Sequence, residues 1–185
     1  HVYIHNNEYV VGMSTLLGKL ASPMLENWKI SQQVNAIKTE MEREGIPIDQ
    51  IQKIVTNAKS NAKKSGDNIL NIGSMVHKFC EMWLKGEKFT DPSDPVILSC
   101  FEKFKRFWTK HNLKVIESEK VLYSERGFCG TLDLIAKDSQ DNLWLIDIKT
   151  SKGLFLNMVH QLHGYKLAYE EQTGKKINKM YIVRL

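Results

Sequence analysis

Two aspartates and a lysine in the second half of the chain have the types and spacing that metal-assisted chemistry needs. Asp147 and Lys149 are two positions apart in a short apolar segment, residues 143–149, so both side chains point to one face of a predicted strand. Asp133 lies in the preceding apolar segment, residues 128–137, which we expect to pair with it as a hairpin. Unpaired charges inside a core are costly, and a divalent cation such as Mg²⁺, which prefers carboxylates, would compensate them.

A cation held there would lower the pKa of a bound water and stabilise charge on phosphate oxygens. Lys149 would then orient that water, help to deprotonate it, or neutralise the charge that develops on the phosphate. The two strands alone leave an alternative open, namely an ordinary hairpin with one structural pair between Asp147 and Lys149.

Two predicted helices add further candidates. His77 and Glu81 are four positions apart and share a helix face. A single histidine on a helix is usually structural, but beside the aspartate hairpin His77 becomes a candidate third ligand through a ring nitrogen, with Glu81 orienting it or facing the site. Gln161 and Tyr165 are also four apart, and their side chains can bind a phosphate, brace a carboxylate or stack on a base.

In chain order, these pieces resemble the RecB-like exonuclease branch of the PD-(D/E)XK nuclease superfamily. The motifs of that branch, in chain order, resemble GxxxH, GxxD, DxK and QxxxY. The corresponding pieces here are residues 73–77, 130–133, 147–149 and 161–165.

The resemblance extends upstream. Residues 13–17, with Ser14 and Thr15, followed by residues 25–29 with a Leu-x-x-Trp, are similar to the entry region of single-strand DNA exonucleases in this branch. Glu119 matches a recurrent acidic position before the Asp133 strand.

The resemblance implies an α/β fold with a restriction-endonuclease-like core, a mixed β-sheet with flanking helices, preceded by a helical N-terminal half. It implies Asp133, Asp147 and Lys149 as catalytic residues. The metal ligands that it implies are His77, Asp133, Asp147 and the backbone carbonyl of Ile148. The residues that we expect to bind DNA or support the site are Glu81, Gln161, Tyr165, Ser14, Thr15, Thr150 and Lys152.

The implied activity is a Mg²⁺- or Mn²⁺-dependent deoxyribonuclease, an exonuclease that prefers single strands or free ends of DNA. The alternatives are a structure-specific endonuclease of the same fold and a non-catalytic DNA-binding or recombination accessory subunit, although an intact Asp, Asp and Lys set argues against the second. No helicase motif is present, so a helicase or recombination protein would be a separate chain. The four-cysteine cluster of some relatives is absent, so no iron–sulfur cluster is expected.

Bulk composition agrees with these expectations. The chain has 185 residues, a formal net charge of +5 and a pI near 9.0, which suits a polyanionic partner. Cys80, Cys100 and Cys129 are isolated and lack CxxC spacing, as expected for reduced thiols of an intracellular protein, whether cytoplasmic, phage-encoded or in an organelle matrix. No apolar run approaches the roughly 20 residues of a membrane span.

Periodicity predicts one nuclease domain over residues 1–185, mainly helical in 1–111, with the sheet core in 112–185. The predicted helices are residues 23–44, 47–64, 68–85, 96–111 and 154–173. The predicted strands are residues 114–124, 128–137, 143–150 and 179–185. A helix between the last two strands indicates a mixed sheet with that helix packed on one face. On the fourth helix, Lys103, Lys105 and Arg106 would contact phosphates or form an ordinary solvated face.

Overall fold

The computed structural model describes residues 2–18, 23–44 and 51–185. By their internal contacts, the residues form two compact units, one of His1–Leu20 with Gly73–Leu185 and one of Ala21–Ile72. The expectation of one nuclease domain over the whole chain stays a prediction.

The smaller unit is helical. It contains α2 (Pro23–Glu44) and the first part of α3 (Ile51–Leu84). The predicted break at Gly66 and Asp67 is wrong, because α3 is continuous there; a single glycine inside a helix costs only about 1 kcal/mol relative to alanine, which a long helix tolerates. The predicted helix start at Pro47 lies outside the described residues. Among the described helices, none combines the length and the apolar character needed to cross a bilayer.

The larger unit is built on a mixed sheet. The strands predicted from sequence are all found: β3 (Lys114–Ser124), β4 (Phe128–Lys137), β5 (Leu143–Lys149) and β6 (Lys179–Arg184). β4 is antiparallel to β3 and β5, whereas β5 and β6 are parallel and are joined by α5 (Leu156–Thr173). With α4 (Pro95–Lys110) as a further helix, this is the α/β class expected, a mixed sheet with flanking helices.

An N-terminal hairpin was not predicted. β1 (Tyr3–His5) and β2 (Glu8–Gly12) pair across a turn in which Asn6 and Asn7 have positive φ angles of 51° and 64°. The short helix α1 (Met13–Gly18) follows directly. β2 then pairs in parallel with the start of β4, so the hairpin belongs to the sheet. The other described elements before residue 112 are helices, as expected.

Because of the N-terminal hairpin, β4 has two different neighbouring strands along one of its edges. β3 pairs with β4 from Phe128 to Lys137 along one edge. On the other edge, β5 pairs with β4 only from Leu134 to Lys137, and β2 pairs with it only at Phe128 and Cys129. β4 therefore leaves one neighbour and joins another, and Asp133 lies where it separates from β5.

Both faces of the sheet are covered. On one face, a buried cluster joins Leu132, Leu145 and Ile182 to Leu162 and Tyr169 of α5. On the other face, Trp144 stacks on Tyr181 with ring centroids 4.6 Å apart, and Phe107 of α4 lies against the same tyrosine. Burial on both faces explains the nearly continuous apolar sequence of β5.

Asp138 holds the far end of the β4–β5 hairpin. Its carboxylate accepts hydrogen bonds from the backbone and side chain of Asn142, from Trp144 Nε1 at 2.9 Å and from Lys179 Nζ at 3.0 Å. Burial by itself raises the pKa of Asp138, but these donors together outweigh it and hold the pKa well below its ordinary value. The bonds join the turn to β6.

We expect Asp138→Asn to lower the Tm by a few degrees near neutral pH, because the amide turns a donor toward Trp144 or Lys179. The folded pKa lies below the unfolded value of 3.8, so the contribution of Asp138 is complete above that value and is lost as the pH falls below it. The Tm difference from wild type should therefore shrink below about pH 4. Circular-dichroism melts over a pH series measure it.

Asp141→Asn is the matched control, since Asp141 is 83% exposed and its φ of 64° suits asparagine. An equal loss of stability in both variants, or a difference from wild type that persists in acid, would contradict the role of Asp138.

Candidate active site

The sheet is irregular at Asp133. The β3–β4 ladder pairs Lys120 with Leu132 and Ser118 with Leu134, but it does not pair Asp133 with the opposing Glu119. Glu119 has a φ of 48°, a left-handed conformation that costs a non-glycine residue about 1–3 kcal/mol and is concentrated at functional sites. Toward β5, Asp133 Oδ2 accepts a 2.6 Å hydrogen bond from the backbone N–H of Ile148. The Asp133 carboxylate thus replaces a backbone partner where the strands separate.

His77 of α3 faces the same point. Its Nε2 donates to the carbonyl oxygen of Ile148 at 3.1 Å, and its Nδ1 lies 3.7 Å from Asp133 Oδ1. Metal-ligating histidines commonly donate their other ring N–H to a backbone carbonyl, which fixes the tautomer. In the neutral ring the lone pair is then on Nδ1, on the side of Asp133. The structure therefore gives the Ile148 carbonyl a hydrogen-bonding partner, and its predicted role as a metal ligand stays a prediction.

His77, Glu119 and Asp133 form a group suited to a cation. One ligand atom from each lies within 4.8 Å of the others. Burial raises the pKa of Glu119, and the negative charges of Asp133 and Glu81 raise it further. One ring nitrogen and two carboxylates make a donor set that fits Mn²⁺ or Mg²⁺.

A small cavity opens beside this group. It is lined by His77, Cys80, Glu81, Ser118, Glu119, Asp133, Leu134 and Ile148. Glu81 lines the cavity, and its carboxylate forms an ion pair with Lys85 at 2.6 Å, so its role at the site stays a prediction. Burial, the largest effect, raises the pKa of Cys80 to about 12, so its thiol is protonated at neutral pH.

Asp147 is the most deeply buried charged group of the site, at 1% exposure. Lys149 Nζ donates to Asp147 Oδ1 at 2.9 Å and lies at ion-pair distance, 2.8 Å, from Oδ2. Both carboxylate oxygens thus lie beside one ammonium group, and Oδ2 is buried. Burial first, and then repulsion by Asp133, raise the pKa of Asp147 to about 6. The fit to a divalent cation therefore rests on the neighbouring donor set of His77, Glu119 and Asp133, which suits the metal that the sequence implies.

The predicted catalytic residues therefore lie in one region of the structure but belong to two separate sets of contacts. Asp133 belongs to the three-residue group with His77 and Glu119, whereas Asp147 lies outside that group and is held by Lys149. Glu119 was matched to an acidic position of the resembled family but was not predicted as a ligand. No local pattern in the sequence signals its left-handed backbone.

Two motif glycines have steric roles at the site. A Cβ on Gly130 would lie 2.5 Å from Cε1 of Tyr165, and a Cβ on Gly73 would lie 3.2 Å from Oγ1 of Thr150. Tyr165 is buried, and its hydroxyl accepts a 2.8 Å hydrogen bond from Gln161 Nε2. Burial raises the pKa of Tyr165, which stays a neutral phenol. Gly130 therefore lets α5 approach β4, and Gly73 lets α3 approach the end of β5.

The remaining predicted residues are at the surface. Ser14 and Thr15 on α1 are exposed, as is Lys152, whose carbonyl oxygen accepts a 2.7 Å hydrogen bond from Arg184. Within the described ranges, no hydrogen bond joins their side chains to His77, Glu119 or Asp133. Their expected contact with DNA stays a prediction.

Comparison with solved structures found several similar chains, two of which are as follows. The chain is similar to a repair endonuclease from Pyrococcus abyssi, with 17% identity, coverage of 54% of this chain and 41% of that one, and a TM-score of 0.32. It is also similar to the protein in an EndoMS–dsDNA complex, with 16% identity, coverage of 52% and 41%, and a TM-score of 0.33. The aligned part is thus about half of this chain and less than half of each of those two proteins. No protein-family model matches the sequence, and no curated protein matches it.

We expect Asp133→Asn to weaken the binding of Mn²⁺ by an order of magnitude or more, because a charged ligand is lost while the amide oxygen can still accept the hydrogen bond from Ile148. Titration calorimetry measures the affinity. The matched control is Asp141→Asn in the same hairpin, which should bind as wild type does. Unchanged affinity in the Asp133 variant would remove this residue from the ligand set.

We expect Gly130→Ala to destabilise the protein by about 1–3 kcal/mol, the usual cost of overpacking. Tyr165 would have to move, since its ring is 2.5 Å from the added carbon. Denaturant unfolding measures the loss. Gly18→Ala, where no atom of the described residues lies within 4 Å of the added carbon, is the control and should cost much less. Equal stability of both variants would show that Tyr165 can shift without penalty.

Proposed function

We propose that the chain is a metal-dependent nuclease that hydrolyses phosphodiester bonds of DNA with Mg²⁺ or Mn²⁺. The observation that carries the proposal is the group of His77, Glu119 and Asp133, whose ligand atoms lie within 4.8 Å of one another, beside the buried Asp147–Lys149 pair. An ordinary structural ion pair accounts for Asp147 and Lys149, but it does not explain why three further ligating groups gather at a distorted point of the sheet.

His77, Glu119, Asp133 and Asp147 would hold the cation. When bound, it would supply a water of lowered pKa and stabilise charge on phosphate oxygens. The Lys149 side chain is 22% exposed, and its ammonium is held in place by the ion pair with Asp147. From there it would orient the attacking water or neutralise negative charge developing on the phosphate.

We further propose that the enzyme acts on DNA ends or single strands. Support comes from the order of the motif pieces and from the entry-region resemblance that includes Ser14 and Thr15. The free, buried cysteines Cys80, Cys100 and Cys129 suit action in a reducing, intracellular compartment.

The direct test is a nuclease assay with Mg²⁺ or Mn²⁺ on end-labelled single-stranded, duplex and covalently closed circular DNA. Loss of linear single strands with the circle left intact is expected. Cleavage of the circle would instead assign an endonuclease, and no cleavage of any substrate would reject the proposal.

We expect Lys149→Ala to reduce cleavage by a factor of about 10²–10⁴, the range for loss of a positioned acid–base group, while DNA binding persists. Single-turnover rates and a gel-shift assay measure the two effects. Lys137→Ala at the opposite end of the β4–β5 hairpin removes an equal charge and should cleave as wild type does. Equal activity of the Lys149 variant and wild type would rule out the assigned role.

A further inference from the structure

A second pocket lies between α4 and β6. Its volume is about 360 Å³, and it is lined by Lys103, Arg106, Phe107, Tyr181, Ile182, Val183, Arg184 and Leu185. The lining residues include three cations and no aspartate or glutamate. The pocket is therefore electropositive, and its natural ligand is an anion.

Lys103 and Arg106 are available to such a ligand. Both are exposed, and neither forms an ion pair with a residue in the described part of the chain. Lys105, between them in sequence, differs: it pairs with Glu102 and its ammonium lies 4.7 Å from the centroid of Phe101. The helix thus has two cations directed to the pocket and one that is internally compensated.

The pocket also has a fixed aromatic wall. Tyr181 is 39% exposed, and its ring stacks on Trp144 at an interplanar angle of 11°. Phe107 lies against the same tyrosine, with centroids 6.1 Å apart. Cations beside a positioned aromatic ring are the combination that binds single-stranded nucleic acid, since phosphates meet the charges and any base can contact the ring.

The pocket adjoins the candidate active site. Arg184 is the register partner of Lys149 on the neighbouring strand, and the backbone N–H of Leu185 donates to the carbonyl oxygen of Lys149 at 3.0 Å. Paired strands are about 4.8 Å apart. Side-chain alternation points Lys149 and Arg184 to the α5 face of the sheet, whereas Tyr181 lies on the α4 face. A strand of DNA held at Lys149 would therefore turn around the end of β6, at Arg184, to reach Lys103 and Arg106.

We propose that this basic pocket binds the sugar–phosphate backbone of a single DNA strand next to the point of cleavage. The inference rests on the proposed function for the identity of the polymer. It adds a positioning site on α4 and β6 that none of the motif residues supplies.

The test is fluorescence anisotropy with a labelled single-stranded oligonucleotide, in EDTA so that no cleavage occurs, over a series of salt concentrations. Lys103→Ala and Arg106→Ala should each raise the Kd several-fold. Each should also make the slope of log K against log salt shallower by about 0.7, the value for one phosphate contact in a single strand. Lys105→Ala, which removes the same charge from the same helix, should leave the slope unchanged.

Equal changes in all three variants would show that only the net charge of the protein matters, which would overturn the proposal. Unchanged binding in both pocket variants would also overturn it. An equal loss of affinity for a duplex would overturn the preference for a single strand. In turnover assays, the pocket variants should raise KM and keep kcat. If wild type cleaves no DNA, the proposed function fails, while the binding comparison still decides whether the pocket holds a strand.

Discussion

The separation of β4 from β5 at Asp133 is the constraint on which the candidate site depends. A regular ladder would consume the N–H of Ile148 in a backbone hydrogen bond, but here that N–H goes to the Asp133 carboxylate at 2.6 Å. Hydrogen bonds to charged groups contribute about 1.5–3 kcal/mol, enough to compensate for one missing rung of the sheet. The edge of β4 that β5 leaves is taken over by β2, so the opening does not unravel the sheet.

The opening also concentrates negative charge. Burial is the leading reason why the pKa values of Asp147 and Glu119 are raised, and Asp133 raises both by repulsion. Among the described residues, Lys149 forms its ion pair with Asp147, and no ion pair to a lysine or arginine compensates Asp133 or Glu119. Electrostatic repulsion of this kind makes a site bind a divalent cation more strongly, because the bound charge relieves it.

Helix packing then decides which side chains reach the opening. Gly73 brings α3 close to the end of β5, which sets His77 within 3.1 Å of the Ile148 carbonyl. Gly130 admits the ring of Tyr165 from α5 on the opposite side of the sheet from the aromatic group around Trp144. The two motif glycines therefore allow helices to pack closely on the sheet, and the positions of the motif residues with reactive side chains depend on that packing.

Local sequence patterns determined the strands β3 to β6, helix α5, the hairpin between Asp133 and Asp147, and the shared strand face of Asp147 and Lys149. These features follow from side-chain periodicity and turn residues over a few positions, so nearby sequence suffices to predict them. Helix α3 runs through Gly66 because one glycine costs a long helix little. Tertiary contacts decided the parallel pairing of the N-terminal hairpin with β4 and the left-handed backbone of Glu119. Each of these depends on small local energies that distant packing outweighs, which is why no nearby residue signals them.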